Sequence, residues 1–491
     1  MPAPITRSLG RFVSELRYEA LPEAALDVVR TGVTDCVSVM LAGIDEPVAR
    51  IVRQSLGTRG ANGEASLYLG AECATAPEAA LANAVAGHAL DYDDVALAGH
   101  PSVVLVPAIL AEAEALGASG RDAVAAYVAG YETWAHLIER DKDAYHRKGW
   151  HPTAVLGPVA AAAACANLRK LDAAKATQAI GIAASMAAGV VANFGTMTKP
   201  LQAGRAAQSG VTASRLAAAG LSAAEDALEH PVGLLNALSQ KGRVDTETPL
   251  DRLGEDWRIT ALGVNVKKYP MCYGTHRSID GMLDLIAAND LTPESVAGVE
   301  VTIGPAQAAM LRNHRPATGL EAKFSMEFAM ASALTARWAG LSELTDEFVR
   351  RDAVQTLLPR VSLKVIDSES ADDPAFAARP GAGAAERRAR AEQPRDPLRP
   401  RPFQPAAQPR RALDEVQGLH GEVPRRHRGR RPVRDAAGDR DRDVDPRPAA
   451  SASGTREGVV EDEDWPRSFD FAQDEASFPP TSMICQHLTS S

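Results

Sequence analysis

The chain has 491 residues, 45% of them hydrophobic but only 5% aromatic, and a formal net charge of −10. That length implies two or three domains, and an Ala-rich, aromatic-poor composition favours closely packed helices over a β-sandwich. The negative charge argues against a nucleic-acid binder. The opening MPAPITRSLGRF lacks the apolar core of a signal peptide. The cysteines (Cys36, Cys73, Cys165, Cys272 and Cys485) are scattered, without the close pairs that an iron–sulfur or zinc site needs. The expectation is a cytoplasmic protein with reduced thiols and no membrane anchor.

Up to residue 264 the pattern is helical. Ser119, with Asp122 three residues on, predicts a helix N-terminus, and Val124, Tyr127, Val128 and Tyr131 then follow the spacing of one buried face. Residues 152–168 and 176–194 are apolar but broken by Asn167, Gln178, Ser185 and Asn193, which predicts buried helices rather than membrane spans. The small residues from Ala203 to Leu221 let helices approach closely.

From 265 to 370 the texture becomes α+β. Val299, Val301 and Ile303 alternate with polar residues, as do Val361, Leu363 and Val365, which predicts two half-buried strands. Between them, Ile279, Met282, Leu283 and Ile286 form a helical stripe, and Phe324–Trp338 reads as another helix. The fold class is therefore mainly α: a large helical domain over 1–264 and a smaller α+β domain over 265–370.

Residues 371–491 differ from both, with 20 arginines, 15 prolines and no lysine. A disordered tail is one reading. A shifted reading frame in a GC-rich gene is the preferred one, since out-of-frame codons there commonly give Arg, Pro and Ala. Back-translated and moved one nucleotide forward, Pro400–Pro424 reads, with suitable codons, RGHFSPPLSRAELWTKFKDCTAKY, a turn followed by an amphipathic helix. On this reading the tail replaces the end of the α+β domain and the C-terminal helices. A non-catalytic product of a damaged gene is then one possible outcome.

The ionisable residues give the chemistry. His88, Asp91, Asp93, Asp94 and His100 fall within thirteen positions of an otherwise apolar stretch, where charge is costly unless it has a role. Asp91 shares a helix face with His88 and reads as an acid/base or as the partner of an imidazole; its structural alternative is a polar tie between helix and loop. Asp93 and Asp94 read as caps of the turn. His100 and His151 each precede a proline, which places both imidazoles at loop-to-helix junctions. His151 also heads an apolar helix whose dipole favours an anion. Lys199, between Thr198 and Pro200, reads as a carboxylate grip or a base. Lys267 is the better candidate of the Lys267–Lys268 pair. Arg205, His276 and Arg315 read as substrate-binding, although His276 could equally cap a helix and Arg315 brace a loop. His146 and His151 lack a third ligand, so no metal is expected. Imidazoles, a carboxylate and several cations together suit a small di- or tricarboxylate.

HALDYDD…HPS at 88–102, HPTA at 151–154, GTMTKPLQAGRAA at 195–207, KKYPMCYGTH at 267–276 and RPATGLEAKFS at 315–325 resemble, in order and spacing, the MmgE/PrpD family. Its members include 2-methylcitrate dehydratase, cis-aconitate decarboxylase and iminodisuccinate epimerase. The resemblance covers about residues 5–370, and the shifted WTKFKDC extends it. It implies a helical domain plus an α+β domain with the active site between them, a homodimer, no metal or organic cofactor, and bond-breaking next to a carboxylate. The expected activity is dehydration of a citrate-like tricarboxylic acid, with dicarboxylate epimerisation and cis-aconitate-type decarboxylation as alternatives. Departures weigh most against decarboxylation. The Asp91–His100 loop is about one residue short, Val95 replaces a usual Thr, Gln202 stands where a His often follows TKPL, and Cys272 stands where the decarboxylases carry His. Their Tyr before the RP pair has no counterpart either; Arg312 is nearest.

Overall fold

A computed structural model describes residues 2–56 and 63–366. The Arg/Pro-rich tail, and with it the shifted-frame reading, lies outside the described residues, as does Cys485.

The N-terminal part is a stack of helices. The outer ones are α1 (Ile5–Glu15), α2 (Glu23–Gly43) and α3 (Pro47–Ser55), followed by a short hairpin of β1 (Ala65–Ser66) and β2 (Cys73–Ala74). Inside lie α4 (Ala76–Ala89), α5 (Pro101–Leu116), α6 (Gly120–Ile138), the single turn α7 (Pro152–Val155), α8 (Gly157–Leu168), α9 (Ala173–Ala184) and α10 (Thr198–Ala218). α4, α5 and α8 are buried along nearly their whole length, which their runs of Ala and Val permit. α6 begins as its sequence predicts. The Asp122 N–H donates to Ser119 Oγ at 3.2 Å, the Ser119 N–H returns to the Asp122 carboxylate at 3.4 Å, and Val124, Tyr127, Val128 and Tyr131 are buried.

α10 packs on α4 and α8 at close range, made possible by small residues. A Cβ added at Gly210 would meet the Ala161 Cβ and come within 2.6 Å of the Ala161 carbonyl carbon. Both atoms are fixed to the α8 backbone, so only a shift of one helix would make room. Gly210→Ala is therefore expected to destabilise the protein by about 2–3 kcal/mol or more, read as a lower urea midpoint at unchanged slope. An unchanged midpoint would contradict this packing.

One expected helix is cut short. The apolar stretch 176–194 leaves the α-helix at Ala184 and continues as irregular chain into a single 3-10 turn at Val191–Asn193. That chain is held by other bonds: the His151 N–H donates to the Gly189 carbonyl at 3.1 Å, and the Val191 N–H to the Gly149 carbonyl at 2.9 Å. Its apolar side chains, Val191 and Phe194, are buried in a second core rather than along a helix face.

After α11 (Leu234–Leu238) and α12 (Arg258–Leu262) come α13 (Tyr273–Asn289), β3 (Val299–Ile303), α14 (Pro305–Met310), α15 (Gly319–Ala322), α16 (Met326–Ala336), the short turns α17 (Asp346–Val349) and α18 (Asp352–Gln355), and β4 (Val361–Val365). The two strands lie where alternation predicts and pair in parallel, Val299 opposite Val361. Ile279, Met282 and Ile286 of α13 are buried and Leu283 half-buried. The second core gathers these with Phe324, Phe328, Val191 and Phe194, while the larger core runs from Ala3 to Ile259. No helix among the described residues is long and apolar enough to cross a membrane.

Candidate active site

α4 ends at Ala89, and the chain turns sharply at Asp91, whose φ of +52° lies in the left-handed region that an Asp tolerates better than most residues. It then crosses through Leu97 and Ala98, also left-handed, to His100, the N-cap of α5. Three such residues in one ten-residue loop mark it as held by its surroundings. Pro101 and Pro152 occupy the first positions of α5 and α7, so His100 and His151 stand at helix entrances, as their sequence context predicts.

His88, on the last turn of α4, is fully enclosed. Its Nδ1 donates to Asp93 at 2.8 and 3.0 Å, which leaves Nε2 to accept from the Lys199 ammonium at 2.6 Å. Lys199 donates also to Asp91 Oδ1 at 2.7 Å. Lys267 approaches the same oxygen at 3.2 Å and donates to the Asp91 carbonyl at 2.7 Å. The second carboxylate oxygen of Asp91 is buried with no hydrogen-bond partner among the described residues. His100 Nδ1 donates to the Asp94 carbonyl at 3.0 Å and lies 3.1 Å from Asp93, so its Nε2 is the unprotonated face. His151 Nδ1 donates to Gln202 Oε1 at 2.7 Å, and the Gln202 amide is oriented by the bond it donates to the Val190 carbonyl at 3.0 Å. The His151 Nε2 therefore carries the free lone pair.

These groups line a cavity of about 160 Å³, whose wall includes Asp91, His100, His146, His151, Lys199 and Lys267 together with Phe194, Cys272, Tyr273, Arg277, Gln307 and Phe324. Burial pushes the imidazoles down: His88 to about 4, with Lys199 and His100 adding to the effect against Asp93, and His146 to about 3. Burial likewise lowers His100 and holds His151 well below the ordinary imidazole value, with Lys199 contributing to both. Burial alone would raise the Asp91 carboxyl, but Lys199 and Lys267 outweigh it and keep Asp91 ionised. The two imidazoles do the same for Asp93. Burial raises the Cys272 thiol to about 11, so it is neutral and no nucleophile at neutral pH. Lys199 sits in the first turn of α10, where the helix dipole disfavours a cation. Its ammonium also lies 5.4 Å from the centres of both the Phe194 and Phe324 rings.

The structure thus brings together Asp91, His100, His151, Lys199 and Lys267. The remaining three candidates lie elsewhere. Arg205 is exposed on α10 and donates to Gln208 at 2.6 Å, because six residues carry it to another helix face than Lys199. Arg315 is exposed and outside the cavity wall. His276 is buried behind that wall, its Nε2 3.3 Å from the Met271 carbonyl and its pKa pushed by burial to about 4. Asp94 caps as expected, accepting from the Ser102 N–H at 3.3 Å and from its hydroxyl at 2.6 Å, whereas Asp93 binds the two imidazoles instead. The sequence reading missed Lys323, a buried ammonium bonded to the Leu90 carbonyl and lowered by burial to about 8. It missed Arg277 as well. Each had a signal: Lys323 is an isolated charge between Ala322 and Phe324, and Arg277 lies one helical turn beyond Tyr273.

Among the described residues the His146–His151 pair gathers no third ligand, but another set does. Nitrogens of His88, His100 and His151 lie within 4.8 Å of one another, as do ligand atoms of His88, Asp91, Asp93 and His100. A metal ion on either set would compete with Lys199 for His88 Nε2 or with Asp93 for Nδ1, since both ring nitrogens are already engaged.

Residues 7–247 match the MmgE/PrpD N-terminal domain and residues 269–397 the MmgE/PrpD C-terminal domain. The chain belongs to the MmgE/PrpD family. Among curated MmgE/PrpD relatives, the human cis-aconitate decarboxylase is 26% identical over 372 residues, covering 73% of this chain and 76% of the relative. The Aspergillus terreus cis-aconitate decarboxylase is 25% identical over 311 residues, 58% and 62% of the two chains. The family and these relatives make this MmgE/PrpD chain an enzyme, lyase-like in its general chemistry.

Proposed function

We propose that the protein is a cofactor-independent lyase that takes a citrate-like tricarboxylic acid and eliminates water by removing a proton next to a carboxylate. The observation that carries this is a neutral imidazole with a free lone pair, His151 Nε2, sharing one cavity with two buried ammonium groups. Proton removal leaves charge on carboxylate oxygens, and Lys199 and Lys267 supply positive charge where it collects. His151 takes the proton. A base this depressed is weak by itself, but a polyanion in the cavity raises the imidazole pKa towards neutrality. The same field favours the imidazolium of His100, which protonates the departing hydroxide so that it leaves as water. Asp93 and Asp91 position His88 and the two lysines. Decarboxylation of a cis-aconitate-like acid is the second reading, favoured by the relatives at about a quarter identity.

Proton NMR in D2O with 2-methylcitrate, citrate and cis-aconitate tests this. An olefinic product from a hydroxy acid is expected. A decarboxylated olefinic diacid from cis-aconitate would favour the second reading, and α-proton exchange without product an epimerase. Neither exchange nor product from any of the three would defeat the proposal.

A further inference from the structure

We propose that Arg277 is a specificity-determining residue that binds a carboxylate remote from the reacting carbon, so that the substrate must carry at least two. This rests on the proposed function and names the end of the substrate that function leaves unassigned. Charge accounting leads to it. Among the residues lining the cavity the cations are Lys199, Lys267 and Arg277. The two ammonium groups are already offset, because both contact Asp91 and because the ionised Asp93 lies just behind, on His88 and His100. A substrate bearing two or three negative charges cannot be neutralised by those two groups alone.

Arg277 supplies the difference. It is exposed at the cavity wall and makes no hydrogen bond or ion pair among the described residues, so its fork of donors is uncommitted. It lies on α13 four residues after Tyr273, on the same helix face. Tyr273 and Gly274, the first residues of this 17-residue helix, line the cavity as well, so the helix dipole adds to the guanidinium there. Gln307 stands against this helix start, its side chain 3.3 Å from where a Gly274 Cβ would lie, and its buried Oε1 has no donor. A buried acceptor without a donor suits a hydroxyl-bearing ligand. The imidazoles and ammonium groups therefore perform the chemistry, and the start of α13 in the cavity wall counts carboxylates.

Calorimetric titration of the full chain with tricarballylate, glutarate and butyrate tests the assignment. The wild type should prefer tricarballylate over butyrate by at least about a hundredfold. R277Q should weaken tricarballylate and glutarate by about tenfold or more and change butyrate less than twofold, while R277K recovers part of the loss. Equal tricarballylate affinity in wild type and R277Q would overturn this assignment and leave the proposed lyase chemistry standing. A wild-type protein that binds none of the three would overturn both.

Discussion

Lys199→Met is expected to lower kcat/KM by about 10²–10³-fold, with the fold retained. Met keeps an unbranched apolar stem of nearly the same length, and its thioether can still pack near Phe194 and Phe324, although the ammonium's contacts with both rings are lost. What disappears is the ammonium shared by Asp91 Oδ1 and His88 Nε2. Asp91 keeps Lys267 as a partner, so it is not left bare. His88 loses the donor to a fully buried nitrogen, which costs about 1–3 kcal/mol. Two independent readouts follow. The thermal midpoint falls modestly, and the His88 imidazole, freed from a neighbouring cation, titrates at higher pH in a proton NMR series. Lys199→Arg should not restore activity, because a planar guanidinium cannot occupy a pocket shaped for a point charge between an imidazole and a carboxylate. Activity within threefold of wild type in Lys199→Met would remove the lysine from the chemistry.

Acid should unfold this protein earlier than its carboxylates alone require. Among the described residues five imidazoles, His88, His100, His146, His151 and His276, have folded pKa values below the ordinary 6.5. Between 6.5 and about 4 the unfolded chain binds those protons and the folded chain does not, so stability falls as pH falls. Two carboxyls oppose this. Burial raises Asp35 to about 7 and Asp94 well above the usual range, so both hold protons in the folded state that the unfolded chain has released. Four imidazoles held far down against two carboxyls leave a net slope of about 3 kcal/mol per pH unit near pH 5, in the direction that His100 also favours. Domain stabilities are only about 5–15 kcal/mol, so the transition should come near pH 5. Asp91 and Asp93, held down in the folded state, add their loss only below about pH 4. Urea unfolding at pH 7.5, 6.0 and 5.0 measures the slope; a flat profile would mean that these imidazoles are not buried neutral.

Much of this was legible in the sequence, and the reasons differ by residue. The helix from Ser119 and the strands at 299–303 and 361–365 are local patterns, fixed by period and cap. His100 and His151 were legible because the following prolines fix the first helical position. Arg205 was misread although helix geometry alone speaks against it: six residues turn a side chain about 120° away from Lys199. The role of Asp93 was not legible. Its contact with His88 depends on the left-handed turn at Asp91, and nothing in the spacing announces that backbone path. Lys323 and Leu90 are 233 residues apart, a contact that only tertiary packing creates.

The charged centre also has an order of assembly. Asp91, Asp93 and Asp94 leave the ribosome first, within four positions, and Lys199 follows 108 residues after Asp91 and Lys267 176 residues after it. A nascent chain that already holds α4 to α9 carries the anions without their counter-ions. The enclosed state of Asp91 is thus out of reach until the last cation arrives, so the loop from 91 to 100 closes late in synthesis, and shorter fragments should leave it open to water.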